Sequence, residues 1–273
     1  MHHILIFGLG YTATRLANEL RAKGWQVTGT RRNATDNAIA FDDRAAVEKA
    51  MEKASHILSS VPPDKSGSDP VLKYYGKQIA RSSAEWIGYL SSTGVYGDVA
   101  GAWVDESAPI GSGRRKARSN ADQRWQKLCA NVHVFRLPAI YGPGRSAFDR
   151  IREGTARPID MPDQLFSRVH VDDIISAVIA SFDGSPGVYN VADDYPAPQH
   201  EVIVHAAQLL GIEIPPLLPL DEANLSKAAM GFYSESRRIA NGKTKRLLDW
   251  EPKYASYRMG LIAIQKQDRR LAE

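Results

Sequence analysis

The sequence predicts an α/β protein: a parallel sheet with helices on both faces and a smaller lobe toward the C-terminus. Three observations lead there. Short apolar runs of strand length alternate with segments of 3.6-residue periodicity. The first run stops at Gly8-Leu9-Gly10 and opens directly onto a helical pattern. After Gly144 the alternation weakens, and Gly154, Pro158 and Pro162 mark an excursion from the sheet.

The elements follow in order. Ile4 to Phe7 is the first strand. A helix follows, with Ala13, Leu16, Ala17 and Leu20 on one face, and Gly24 ends it. Gln26 to Thr30 is the second strand and Ala38 to Phe41 a short third. Asp42-Asp43 comes next, where one side chain can meet an adenine ring and one can cap the helix from Arg44 to Lys53. His56 to Val61 is a buried-type strand closed by Pro62-Pro63, and Ser68 to Ser82 is a helix. Trp86 to Leu90 leads into Ser91-Ser92-Thr93-Gly94-Val95-Tyr96-Gly97. Residues 100–118 are polar and read as a loop, followed by a helix over about 120–130 and the strand Val132 to Leu137. Beyond the excursion of 145–167, Val171, Ile174, Ile175, Val178 and Ile179 keep core spacing on a helix. Val188 to Ala192 is a short strand, Gln199 to Leu210 a helix, and two more helical stretches flank Trp250-Glu251-Pro252.

Strand, glycine turn, helix and strand together make half of a dinucleotide-binding unit, so the sheet is expected to be Rossmann-type and doubly wound. Gly8 can make the tight turn. Gly10 lacks a Cβ, which leaves room for a pyrophosphate, and Ala13 allows close helix–strand packing. The amides of Tyr11, Thr12 and Ala13 then face the diphosphate from a helix N-terminus. The second strand ends in Arg31-Arg32, where an NAD-preferring unit carries an acid. Two guanidiniums suit a 2′-phosphate, so the expected cofactor is NADP, with NAD the lesser fit. Strand C-termini line the ligand crevice in such sheets, so Val61 and Pro62 are expected to pass the cofactor. The hydroxyls clustered after the fifth strand are suited to hydrogen-bonding a substrate carbonyl or alcohol, and Ser91 is counted among the expected cofactor residues.

Composition narrows the setting. The 273 residues suit one large α/β domain with an appendage, and 43% hydrophobic content supports a core. The net charge of +4 is compatible with anionic ligands. No basic stripe with interleaved aromatics points to nucleic acid. The single cysteine, Cys129, excludes an internal disulfide and a cysteine-based metal site, and is expected to be buried on a helix. No apolar run reaches membrane-spanning length and the chain enters its first strand directly, so a cytoplasmic protein without membrane or metal is expected.

Four stretches carry a wider resemblance: Gly8 to Ala13, Ser91 to Gly97, Arg136 to Gly144 and Arg168 to Asp173. With Leu247-Leu248-Asp249-Trp250-Glu251-Pro252, they make the chain resemble an extended short-chain dehydrogenase/reductase of the NAD-dependent epimerase/dehydratase type. The resemblance implies a Rossmann domain over 1–144, completed by about 168–194, and a substrate lobe from 145–167 and 195–273. It implies an NADP-dependent oxidoreductase or epimerase acting on a sugar-like or nucleotide-sugar-like, anionic small molecule, and dimers are common in that family. The family's Tyr-x-x-x-Lys pair does not fit. Counting back from Ala121-Asp122, its tyrosine position falls on Arg114 and its lysine position on Arg118, and no tyrosine lies between Tyr96 and Tyr141. Arginine stays protonated, so Arg114 cannot shuttle a proton. Arg118 can hold the cofactor ribose or an anion, and Arg114 or Arg115 can stabilise an oxyanion. Tyr141, Tyr96 and His170 remain for proton transfer, each with a structural alternative. Ser92, Arg118 and Tyr141 are the catalytic candidates. The competing reading is a protein that binds NADP without turnover, as a redox sensor or regulatory partner.

Overall fold

The computed structural model describes residues 2–272. Strand β1 (His3–Phe7) feeds helix α1 (Tyr11–Ala22), then β2 (Gln26–Arg31), β3 (Ile39–Ala40), α2 (Arg44–Lys53), β4 (His56–Ser59), α3 (Pro70–Arg81) and β5 (Trp86–Ser92). After a 3₁₀ turn over Thr93–Tyr96 come β6 (Trp103–Val104), α4 (Lys116–Gln126), β7 (Val132–Leu137), β8 (Ala139–Tyr141), α5 (Ala147–Arg152), β9 (Arg168–His170), α6 (Val171–Ala180) and β10 (Gly187–Asn190). The C-terminal part holds α7 (Gln199–Leu210), α8 (Lys227–Tyr233), β11 (Arg238–Ile239), α9 (Gly242–Leu248) and α10 (Tyr257–Ala272).

Seven strands form one sheet in the order β10-β7-β5-β4-β1-β2-β3, every neighbouring pair parallel. This is the Rossmann-type, doubly wound sheet that the sequence predicts. Side chains alternate across it. Ile4 and Ile6 of β1 face a cluster with Leu16 and Ala17 of α1 and Ile174 and Val178 of α6. Leu5 and Phe7 face the opposite layer, with Val47 and Met51 of α2, Leu72 and Ile79 of α3 and Trp125 of α4. Strand order reverses between β1 and β4, so the connections after these strands diverge and leave a crevice at their C-terminal ends.

A separate apolar cluster joins Tyr141, Phe148 of α5, Val202 and Ala206 of α7, and Tyr257, Leu261 and Ile264 of α10. Leu248 and Trp250 pack instead against the main sheet. The Trp250 indole N–H donates to Ser176 Oγ at 2.8 Å, and Asp173 accepts the amides of Lys253 and Tyr254 at 2.8 and 3.2 Å. These contacts tie the tail back onto α6.

Several boundaries differ from expectation. The polar stretch 100–118 is not all loop: it contains β6, and α4 begins at Lys116. That helix ends at Gln126, so Cys129 lies beyond it and is half-buried. The excursion after Gly144 holds α5, opened by a capping box between Ser146 and Asp149. Its flanks, β8 and β9, pair with each other outside the main sheet.

Candidate functional site

A groove of about 1280 Å³ lies at the C-terminal ends of β1, β2 and β4. Gly8, Gly10, Arg31, Arg32, Asp42, Val61 and Pro62 all line it, so seven of the expected cofactor residues share one site. Gly8 has φ +85°, in the left-handed region, and a Cβ there would stand 2.8 Å from Val61 Cγ2. Both facts require glycine. A Cβ on Gly10 would meet nothing within 4 Å, so the backbone at the start of α1 is bare toward the groove. The Thr30 hydroxyl accepts the Gly8 amide at 3.1 Å and the Thr30 carbonyl accepts the Leu9 amide at 2.9 Å, fixing the turn to β2. These features fit a dinucleotide: a bare backbone and helix N-terminus for the diphosphate, and cations for a phosphate further along. Arg31 and Arg32 are exposed and have no ion-pair partner among the described residues. Of the acid pair, Asp43 caps α2 by accepting the Ala46 amide at 3.1 Å, which leaves Asp42 on the groove.

Other expected residues do different work. Thr12 and Ala13 are buried beneath the start of α1. The Tyr11 hydroxyl turns away and donates to the Pro143 carbonyl at 3.0 Å, which Arg15 also reaches at 2.9 Å. Tyr11 thus pins α1 to the Tyr141–Gly144 turn. Ser91 does not open onto the groove: its buried hydroxyl donates to Asp122 Oδ2 at 2.6 Å. Asp122 also accepts Arg136 Nη2 at 2.9 Å, and Arg136 Nη1 donates to the Tyr96 hydroxyl at 2.9 Å. Tyr96 in turn donates to Asn190 Oδ1 at 2.8 Å. Its pKa is pushed up to about 12 by burial, with Arg136 opposing, so Tyr96 is a structural member of this network.

The end of β5 forms the second region. The Ser92 Oγ accepts the Gly94 amide at 3.1 Å, caps the 3₁₀ turn and stays half-buried, while its neighbour Thr93 lines a small crevice with Phe232 and Glu235. The Arg115 side chain lies across Gly94, where a Cβ would be 2.8 Å from Arg115 Cδ and 3.4 Å from both Arg115 Nε and Ser92 Oγ. Arg118 stands instead against the Tyr89 hydroxyl on the far layer. Arg114 turns to the lobe: a Cβ on Gly231 would be 2.8 Å from its Nη1, and its Nε lies 3.5 Å from Glu235 Oε1. Glu235, itself buried, also pairs with Arg237 at 3.0 Å. No sequence motif marks Glu235; only the return of the chain after α8 brings it to β5.

Beside this crevice, a cavity of about 580 Å³ opens in the lobe. Arg145, Arg150, Arg157 and Arg168 line it together with Phe232 and Tyr257. Arg168 is 4% exposed and donates to the carbonyls of Phe166, Ala197 and Pro198 and to Gln199 Oε1. Its pKa is lowered to about 10 by burial, partly offset by Asp193, so it remains a cation. Gln199 Nε2 is buried in the same wall with no hydrogen-bond partner among the described residues. Tyr141 belongs to this lobe and not to the nucleotide groove. Its hydroxyl reaches toward the Ser256 carbonyl at 3.5 Å and rests on Gly260, and burial raises its pKa strongly, with Asp193 and Asp173 adding to the rise. Such a phenol is a poor proton shuttle. His170 Nδ1 accepts the Asp172 amide at 3.2 Å and caps α6; burial lowers its pKa to about 4 against the pull of Asp172. It too has a structural role.

The sheet order and the glycine turn define a chain with the fold of the extended short-chain dehydrogenases/reductases. More narrowly, it belongs to the family of a conserved protein of unknown function from Silicibacter pomeroyi DSS, with which it shares 42% identity over 98% of this chain and 99% of that one, at a TM-score of 0.90. No family model matches the chain. Among curated proteins it is similar to a 3-diazoavenalumate denitrifying reductase from Streptomyces sp, at 25% identity over 94% of this chain and 98% of the relative. The human epimerase family protein SDR39U1, solved with NADPH, shares the fold at 18% identity and a TM-score of 0.76, covering 97% of this chain and 99% of that one. Nucleotide-sugar epimerases and dehydratases share it at lower identity still, which shows the fold alone.

Proposed function

We propose that the chain is a cytoplasmic NADP-preferring oxidoreductase that acts on an anionic small molecule of the sugar or nucleotide-sugar kind. One observation carries the cofactor reading: the bare Gly8–Gly10 turn lines the same groove as Arg31 and Arg32, two guanidiniums with no ion-pair partner among the described residues. A bound nicotinamide supplies a hydride or accepts one. The chain's own residues hold the diphosphate on the amides after Gly10, the 2′-phosphate on Arg31 and Arg32, and the adenine between Asp42 and Val61. Substrate enters the lobe cavity, where its acidic group meets Arg150, Arg157 and Arg168, and its reacting end lies toward Ser92. Residues 1–144 with 168–194 act as the cofactor domain, and 145–167 with 195–273 as the substrate lobe. The reductase name of the Streptomyces relative supports reduction as the direction.

Calorimetric titration with NADPH, NADP, NADH and NAD tests the reading. Tight binding of the phosphorylated pair with weak binding of the other two is expected. Absence of binding by all four removes the oxidoreductase assignment.

A further inference from the structure

Four arginines line the lobe cavity, and three of them are engaged within the chain. Arg168 gives the hydrogens of Nη1 to the carbonyls of Phe166 and Ala197, at 2.7 and 2.9 Å. It gives those of Nη2 to the Pro198 carbonyl at 3.4 Å and to Gln199 Oε1 at 3.2 Å. Each terminal nitrogen of a guanidinium carries two hydrogens, so Arg168 offers a ligand its charge and no terminal hydrogen. Arg157 donates Nη1 to the carbonyls of Gly154 and Ala156, and Arg145 lies over the Tyr11 ring. Arg150 is different. Its carbonyl accepts the amides of Thr155 and Ala156 at 2.9 and 3.0 Å, which fixes its backbone. Its guanidinium has no ion-pair or hydrogen-bond partner among the described residues. Arg150 is exposed to solvent, yet protein surrounds it closely enough for burial to lower its pKa, with the Tyr233 phenol opposing. It therefore stands inside the cavity, and arginine keeps its proton there.

Two neutral donors line the same cavity. A guanidinium only donates, so the Gln199 atom that faces Arg168 is its carbonyl oxygen, and the amide nitrogen is the free end. That Nε2 is buried and meets no acceptor among the described residues, a state that costs stability until an acceptor arrives. The Tyr233 hydroxyl likewise forms no hydrogen bond among them. Burial raises its pKa, opposed by Arg150 and Arg168, which both lie within electrostatic reach.

We propose that Arg150, the Gln199 amide and the Tyr233 hydroxyl anchor the substrate by a carboxylate, with Arg168 as the positioning residue that aims Gln199. The proposal rests on the reading of the lobe cavity as the substrate site and deepens it by naming the acidic group that site takes. The donors available favour a carboxylate over a phosphate. A carboxylate accepts at about four lone-pair sites on its two oxygens. The Arg150 fork serves two of them through parallel N–H donors, and the amide and the phenol serve the rest. A phosphate group brings three acceptor oxygens and most of a second charge. More of its lone pairs would then be turned toward Val202, Leu225 and Phe232, which offer no donor from their side chains.

Fluorine NMR titration of the full-length protein with NADP present reads this site without turnover. The probe is 4-fluorobenzoate, compared with 4-fluorobenzamide and 4-fluorophenyl phosphate. The benzoate is expected to bind about tenfold tighter than either, the scale of one charge-assisted contact. Arg150→Met should remove the preference over the benzamide. Gln199→Leu and Tyr233→Phe should each weaken the benzoate by about fivefold, and all three variants should keep wild-type NADP affinity as proof of folding. Arg168→Lys should lose as much as Gln199→Leu, and the double variant no more than either, because the two side chains act as one unit. Additive losses would overturn the positioning role; if Arg168→Lys fails to bind NADP, the other three variants decide. Equal binding of benzoate and benzamide, phosphate binding as tight as benzoate, a preference that survives in Arg150→Met, or no benzoate binding at millimolar concentration by a protein that binds NADP overturns the proposal. Loss of NADP binding by the wild type is a different result and removes the cofactor reading instead.

Discussion

Gly10 carries the sharpest expectation. The empty space where its Cβ would stand faces the groove, so Gly10→Val fills volume that a diphosphate needs, with its Cβ meeting nothing within 4 Å in the free chain. Thermal stability should hold within about 0.5–1 kcal/mol, the usual cost of surface or helix-start changes. NADPH binding should vanish in calorimetry, and retained affinity would move the diphosphate elsewhere. Gly8→Ala should behave differently, because φ +85° and Val61 make it a folding defect first. For Arg31→Ala with Arg32→Ala, the expected loss is about 10- to 100-fold in NADPH affinity, the range of one or two charge-assisted contacts, with NADH nearly unchanged. Equal losses for the two would show that these arginines do not read a 2′-phosphate. At this scale the sequence was most legible where a residue's backbone role decides its identity, as at Gly8 and Gly10. It was least legible for hydroxyls and phenols. Ser91, Tyr11 and Tyr141 sit in the expected stretches, but their side chains are committed to Asp122, Pro143 and the lobe core.

Helix α4 shows how an element is held. Only Ser119, Ala121, Asp122 and Trp125 of its residues are buried, so apolar area alone does not dock it. Two polar anchors do. Trp125 donates its indole N–H to Asp69 Oδ2 at 2.8 Å, joining α4 to the start of α3. Asp122 joins it to Arg136 on β7, with both side chains at most 3% exposed. Removing one partner of a buried pair strands the other, so Asp122→Ala should cost about 3–5 kcal/mol in denaturant unfolding. Replacing both partners, as in Asp122→Leu with Arg136→Met, should recover most of that loss; a double variant as unstable as the single one would show that the network specifies more than charge balance. The polarity that fixes α4 is also what made 100–118 read as a loop. A helix preceded by glycine and arginine, and itself largely polar, lacks the apolar stripe on which periodicity depends.

Across the whole molecule, buried titratable groups set the pH dependence. Burial pushes Asp193 up to about 8 despite Arg168, and Asp173 up to about 6, from an ordinary value of 3.8. Between those values the folded chain binds protons that the unfolded chain has released, so stability falls as pH rises through that window. His56 and His170 act in the opposite sense. Burial lowers both to about 4 from 6.5, so the unfolded chain binds more protons below 6.5 and stability falls as pH drops toward 4. The two effects oppose each other at acidic pH, and above 6.5 only Asp193 remains. Melting should therefore weaken between pH 6.5 and 8 by up to ~2 kcal/mol. Asp193→Asn should flatten that decline, and a variant that still declines as the wild type does would place the titrating group elsewhere.

By itself the sequence determined the sheet, the glycine turn and the basic end of β2, because each depends on residues close together in the chain. Strand and helix periods are local, and a glycine that must take positive φ or leave a backbone bare declares itself within a few positions. Only the tertiary structure decided the crevice at the end of β5 and the lobe cavity. Glu235 meets Arg114 across more than a hundred residues, and Arg150, Arg157 and Arg168 converge only after α5, α7 and α10 have packed around Phe148. A side chain's charge is written in the sequence. The direction it faces, and whether a partner neutralises it, depends on contacts that exist only once the chain has folded.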